Sequence, residues 1–154
     1  MASLVVMEVG MFKTIIWATD GSRAAEQALP YAKGLAMAGR ARLIVVHVDE
    51  FSVGKGGGYS IYVDEPETEA AIRRRVEELK REGLNASLQT SRVLMGGAAH
   101  VIADIAKQEQ ADLIVAGTRG HGPVAGLLLG SVTHRLVQIA QCPVLVVPAN
   151  NLTT

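Results

Sequence analysis

The residues best suited to chemistry lie between Gly117 and Thr133, in the run Gly-Thr-Arg-Gly-His-Gly-Pro-Val-Ala-Gly-Leu-Leu-Leu-Gly-Ser-Val-Thr. Glycines let backbone N–H groups approach an anion closely, and a helix N-terminus adds unpaired donors and a favourable dipole. This run joins an apolar, strand-like segment, Leu113 to Ala116, to a helix-like pattern at Val132, Leu136, Val137, Ile139 and Ala140. A strand, a glycine-rich loop and a helix start, in that order, form a phosphate-binding arrangement. No Asp or Glu follows Asp112, and the charged side chains beyond it are Arg119 and Arg135. A phosphate there would meet backbone donors, the hydroxyls of Ser131 and Thr133, and Arg119.

Other chemistries fail on specific residues. A P-loop needs four residues between its glycines and a following lysine, whereas Gly126-Leu-Leu-Leu-Gly130-Ser131 has three residues and no lysine. The segment Gly120-His-Gly122-Pro-Val-Ala125 formally matches a dinucleotide fingerprint, but the acidic residue required for the ribose is missing downstream. A phosphoacceptor receiver needs an acidic cluster and a late lysine; Asp20 stands alone and no lysine follows Lys107. No Gly-x-Ser-x-Gly elbow is present for a serine hydrolase. The histidines and the single cysteine do not make a zinc set. His47, at the end of an apolar segment, reads as a hydrogen-bonded residue near the core rather than a catalyst. Asp20 follows the first strand-like run, where it either caps a helix or faces a ligand.

The elements that must position these residues alternate along the chain. Phe12 to Ala18 reads as a buried strand. Ser22 is a helix cap, and Ala25, Ala28, Leu29, Ala32, Leu35 and Ala36 mark one helical face, with Gly39 as the stop and a bend at Pro30. Arg42 to Val48 is a second strand, continuous in apolar character from Leu43 to Val46 as parallel strands are. Asp49 to Asp64, with four glycines, reads as a long loop. Glu65 to Glu82 is a charged helix with a stripe of Ile72, Val76 and Leu79, ended by Gly83. Ala86 to Leu94 alternates and belongs near a sheet edge. A helix through Val101, Ile102, Ile105 and Ala106 follows, then the strand Leu113 to Ala116, the glycine loop with its helix, and a last strand, Val144 to Val147. Such β-α alternation predicts an α/β fold, a doubly wound parallel sheet of five strands with helices on both faces.

The chain has 154 residues, a single-domain length, and its formal net charge is zero. Zero net charge argues against nucleic acid or an anionic membrane held by bulk charge. No apolar run approaches the roughly 18 residues of a membrane span. The first residues lack the basic flank of a secretory signal, and lone Cys142 excludes an internal disulfide, so a cytoplasmic protein is expected. Residues 1–11 read as an N-terminal extension, 12–150 as one nucleotide-binding domain and 151–154 as a tail.

Taken together, Gly117-x-x-Gly120, nine residues and Gly130-Ser131 resemble the ATP-binding signature of the universal stress protein family. The resemblance extends to Asp20, to His47-Val48 and to Cys-Pro-Val-Leu-Val-Val-Pro at 142–148, covering about Phe12 to Pro148. It implies strand order 3-2-1-4-5, which brings Asp20 and Gly117 together at a topological switch point, where open α/β sheets bind ligands. By resemblance, Asp20 would contact the ribose or adenine side, and Val48 would line the adenine pocket. Gly117, Gly120, Gly130, Ser131 and Thr133 would hold ribose and phosphates. The ligand implied is ATP or AMP, with or without Mg²⁺, held for regulation or a stress response without efficient catalysis. The alternatives are a nucleotide-independent scaffold and a slow ATPase. The apolar strand Val144 to Val147 would lie at an edge, which invites pairing, and the resemblance implies a homodimer through it.

Overall fold

The computed structural model describes residues 10–56, 59–60, 65–118 and 129–149. Strands are β1 (Thr14–Ala18), β2 (Arg42–Val53), β3 (Tyr59–Ser60), β4 (Asn85–Leu94), β5 (Leu113–Gly117) and β6 (Val144–Val147). Helices are α1 (Arg23–Gly39), α2 (Glu65–Arg81), α3 (Ala98–Gln108) and α4 (Ser131–Ile139). Five strands form the parallel sheet in the order β4-β2-β1-β5-β6, which is the expected 3-2-1-4-5 when only parallel strands are counted.

Alternation along each central strand sends side chains to two cores. Ile15 and Trp17 of β1, Leu43 and Val45 of β2, and Leu113 and Val115 of β5 pack with α1 and α2. Ile16, Ile44, Val46 and Ile114 point the other way, to Ala99, Ile102 and Ala106 of α3 and Leu136 of α4. Both faces are covered, so the central stretches Ile15–Ala18, Leu43–Val46 and Leu113–Ala116 are apolar at every position. The register is direct: Ile16 lies between Ile44 and Ile114, and Trp17 between Val45 and Val115. Asp112 fixes the entry of β1, its Oδ2 accepting from the N–H groups of Lys13 at 2.7 Å and Thr14 at 2.9 Å. On the outer layer, Arg75 of α2 donates to Glu26 of α1 at 2.9 Å and to Glu78 at 2.6 Å. The Glu26 contact is the main cause holding that guanidinium above its ordinary pKa.

Two boundaries differ from the sequence reading. The second strand does not end at Val48; it continues to Val53, with β4 beside it as far as Phe51 opposite Leu94. The expected loop from Asp49 to Asp64 is therefore partly sheet, and Ser52 and Val53 also pair antiparallel with Ser60 and Tyr59. Asp49 and Glu50 lie within this strand, and both carboxylates have partners. Asp49 Oδ2 lies 3.2 Å from Arg92 Nε across the strand pair, and Arg92 stacks 5.3 Å over the Phe51 ring. Glu50 accepts from the N–H of Gly96 at 2.5 Å and of Ala98 at 3.5 Å, serving the start of α3. The second difference is at the end of α1. The left-handed residue is Arg40 (φ 49°), not Gly39. Gly39 instead permits close approach, since a Cβ there would lie 3.1 Å from the Phe12 carbonyl. The helix runs unbroken through Pro30, which sits on its exposed side.

Candidate functional site

The chain's progress across the sheet reverses between β1 and β5, so their carboxyl ends form the switch point. The β1 end is built as a tight turn. Thr19 N–H donates to Val46 O at 2.9 Å, Thr19 Oγ1 accepts from Gly21 N–H at 3.1 Å, and Asp20 Oδ1 accepts from Ser22 N–H at 2.9 Å. Ser22 then caps α1, its Oγ accepting from Ala25 N–H at 3.2 Å. The cap residue is thus Ser22, and Asp20 stands two residues ahead of it, half-buried at the sheet edge.

The β5 end carries the glycine-rich loop. A Cβ on Gly117 would lie 2.6 Å from Ala24 O and 3.1 Å from Ala25 N, so glycine lets β5 run directly against the first turn of α1. Thr118 donates its N–H to Val147 O at 3.0 Å and accepts from Ala149 N–H through Oγ1, also at 3.0 Å. The two ends of the loop are tied together twice. Gly130 N–H donates to Thr118 O at 2.5 Å, and the buried Thr133 hydroxyl donates to Gly117 O at 2.8 Å. Gly120, Arg119 and His121 lie outside the described residues.

Beyond the ties, α4 begins with Gly130 as an extended N-cap (φ −65°, ψ 158°) and no side-chain cap. Its first backbone bond runs from His134 N–H to Gly130 O at 2.9 Å. The N–H groups of Ser131, Val132 and Thr133 therefore precede the helical ladder, and a helix start of this kind favours an anion. Ser131 is exposed there. Val48 is half-buried at the end of the central part of β2, beside the core that holds Ala18 and Val132.

The structure thus brings together Asp20, Val48, Gly117, Gly130, Ser131 and Thr133 at the carboxyl edge of β1, β2 and β5. It gives Thr133 an internal partner, because its hydroxyl proton is committed to Gly117. Two features were missed by sequence reasoning. Thr118 closes the loop, and Glu65 of α2 reaches His47, its Oε1 lying 2.5 Å from Nε2 while Nδ1–H donates to Thr19 O at 2.9 Å. The expectation of a hydrogen-bonded, near-core histidine is met. No local pattern links Glu65 to a residue 18 positions earlier. Cys142 is remote in role: burial, with a smaller contribution from Asp112, pushes its thiol pKa up.

A profile of the universal stress protein family matches residues 11–148. A universal stress protein of Thermus aquaticus is 42% identical over 143 residues, spanning 89% of this chain and 99% of its own length. One from Bacillus subtilis is 31% identical over 147 residues, with coverage of 89% and 99%. Among solved structures, the universal stress protein UspA from Lactobacillus plantarum matches with TM-score 0.69 at 26% identity, covering 88% of this chain and 97% of its own. A universal stress protein solved in complex with cAMP matches with TM-score 0.61 at 26% identity, with coverage of 89% and 97%.

Proposed function

Since the chain belongs to the universal stress protein family, we propose that it binds an adenine nucleotide, ATP or AMP, as a regulatory module of a stress response without efficient turnover. The observation that carries this reading is the pairing of an uncapped helix start at Gly130–Thr133 with Asp20 across the β1/β5 switch point. Phosphates would lie on the N–H groups of Ser131, Val132 and Thr133 and on the Ser131 hydroxyl, with Gly117 and Gly120 shaping the loop above. Asp20 would accept from ribose hydroxyls or adenine, and Val48 would lie against the base. The cAMP bound by a structural neighbour supports the choice of adenine. A Mg²⁺ accompanying the phosphates would take most of its ligands from them and from water. Among the described residues, no three His, Cys, Asp or Glu are grouped to hold a metal. Backbone donors bind and orient but supply no base, so hydrolysis is slow on this reading. Ordering of the glycine loop by the nucleotide would change the surface offered to a partner, through different affinities for two loop states.

Assembly belongs to the same reading. Among the described residues β6 pairs with β5 on one side, and Val144, Leu145 and Val146 are only half-buried. A second copy pairing with this edge would cover it. Calorimetric titration of ATP and AMP into the wild type and Gly130→Val tests the site. Binding by the wild type and its loss in a folded Gly130→Val support the assignment, whereas equal affinities contradict it.

A further inference from the structure

The start of α2 reaches into the switch point at two places, neither of them a strand pairing. Glu65, the first residue of α2, meets His47 at 2.5 Å. His47 in turn holds the Thr19 carbonyl at 2.9 Å. One turn later, Thr68 packs on Gly21, where a Cβ would lie 2.7 Å from the Thr68 methyl. Gly21 has φ +78°, a conformation that suits glycine and would strain other residues. The turn from Thr19 to Ser22, which carries Asp20, is therefore gripped from outside by one helix end.

Hydrogen-bond accounting defines the grip. The Thr19 carbonyl can only accept, so Nδ1 carries a proton. Nε2 faces a carboxyl oxygen and also needs a proton in the contact, borne either by the ring or by Glu65. His47 is 3% exposed, so water does not readily replace a lost partner. If Glu65 leaves, the imidazole keeps one anchor and gains freedom to rotate away from Thr19.

We propose that His47 and Glu65 are positioning residues: through the Thr19 carbonyl they hold Asp20 in place for the nucleotide. The inference rests on the nucleotide-binding reading for its ligand, but the restraint on the turn is a property of the ligand-free protein. The two can fail separately. Glu65 caps no backbone group in the contacts described; its work is done through the histidine.

The test uses Glu65→Ala and Glu65→Gln, because the Glu65 side chain is more exposed than that of His47 (18% against 4%) and belongs to neither hydrophobic cluster. In Glu65→Gln the new side-chain amide can donate an N–H to unprotonated Nε2, which preserves the anchor without charge. Hydrogen exchange of the Gly21 and Ser22 amides is measured in the ligand-free proteins, alongside calorimetry with AMP. Loss of this contact should speed exchange at these amides on the order of tenfold in Glu65→Ala. Exchange in the β1 and β5 cores should stay unchanged, AMP affinity should fall several-fold, and Glu65→Gln should restore most of both effects. Unchanged exchange at Gly21 and Ser22 overturns the proposal. So does an equal acceleration throughout α2 and the sheet, which would mark Glu65 as a general stabiliser. A wild type that does not bind AMP refutes the nucleotide reading, while the exchange data still decide whether the grip exists.

Discussion

Adding one methyl group at Gly117 should destabilise the fold, and the geometry fixes both sign and size. A Cβ there would stand 2.6 Å from Ala24 O, 2.8 Å from Ala24 C and 3.1 Å from Ala25 N, all backbone atoms. Ordinary contact begins near 3.4 Å, so β5 and the first turn of α1 must separate by about 0.8 Å (3.4 minus 2.6). The shift cannot be absorbed by a side chain. It loads the Ser22 cap and the bond from Trp17 Nε1–H to Ala25 O at 3.0 Å. Overpacking costs about 1–3 kcal/mol, and the stiffer unfolded chain returns roughly 0.4–1 kcal/mol, leaving a net loss of about 1–2 kcal/mol. Trp17, the sole tryptophan, is fully buried beside the strain and reports unfolding by fluorescence. With a urea dependence of about 1–3 kcal/mol/M, the midpoint should drop by roughly 0.5–1 M. Gly34→Ala is the matched control, because that glycine is exposed within α1 with nothing within 4 Å of its Cβ position. The same chemical change there should raise stability by about 0.5–1 kcal/mol. A Gly117→Ala protein as stable as wild type would refute the close-approach argument.

Thr133→Val removes the hydroxyl that donates to Gly117 O and leaves that buried carbonyl unserved. A loss of about 1–3 kcal/mol is expected in denaturant melts, with Thr133→Ser keeping most of the wild-type stability; equal stability of Thr133→Val and wild type would contradict the tie. Because burial raises the Cys142 pKa, less thiolate is present at any given pH, and its alkylation rate should rise at higher pH than that of a free thiol. Iodoacetamide labelling at a pH of about 8, near the ordinary thiol range, should be slow in buffer and fast in urea, and equal rates would contradict the burial effect. By sedimentation at micromolar concentration the chain should be a dimer, and a charged substitution, Leu145→Lys, should shift it to monomer; a monomeric wild type would count against the β6 interface.

Much of the fold was legible because periodicity and punctuation agree. The stripe of Ile72, Val76 and Leu79 is buried as expected, and Ser22 caps α1. The misses share a cause: each depends on a partner distant in sequence. Asp49 and Glu50 resemble the end of a strand until Arg92 and the start of α3 supply counter-groups. Gly39 has the composition of a helix stop, yet its role is contact with the segment before β1, and Arg40 takes the left-handed conformation. At the candidate site, residue types were legible and their division of labour was not. Gly117 invites a ligand-centred reading, but its missing Cβ is demanded by Ala24. The hydroxyl of Thr133 suits a phosphate, but it is committed to closing the loop. His47 gave no sign of its Glu65 partner, because nothing local couples the end of one strand to the start of a later helix.

Titration of AMP into the ¹⁵N-labelled protein tests the central claim most directly. Binding at the switch point predicts shifts in the amides of Ser131, Val132, Thr133 and Asp20, while Ala41, Asn85 and Asp112, at the opposite edge of the sheet, remain in place. Saturable shifts confined to that opposite edge, or none at millimolar nucleotide, would contradict it.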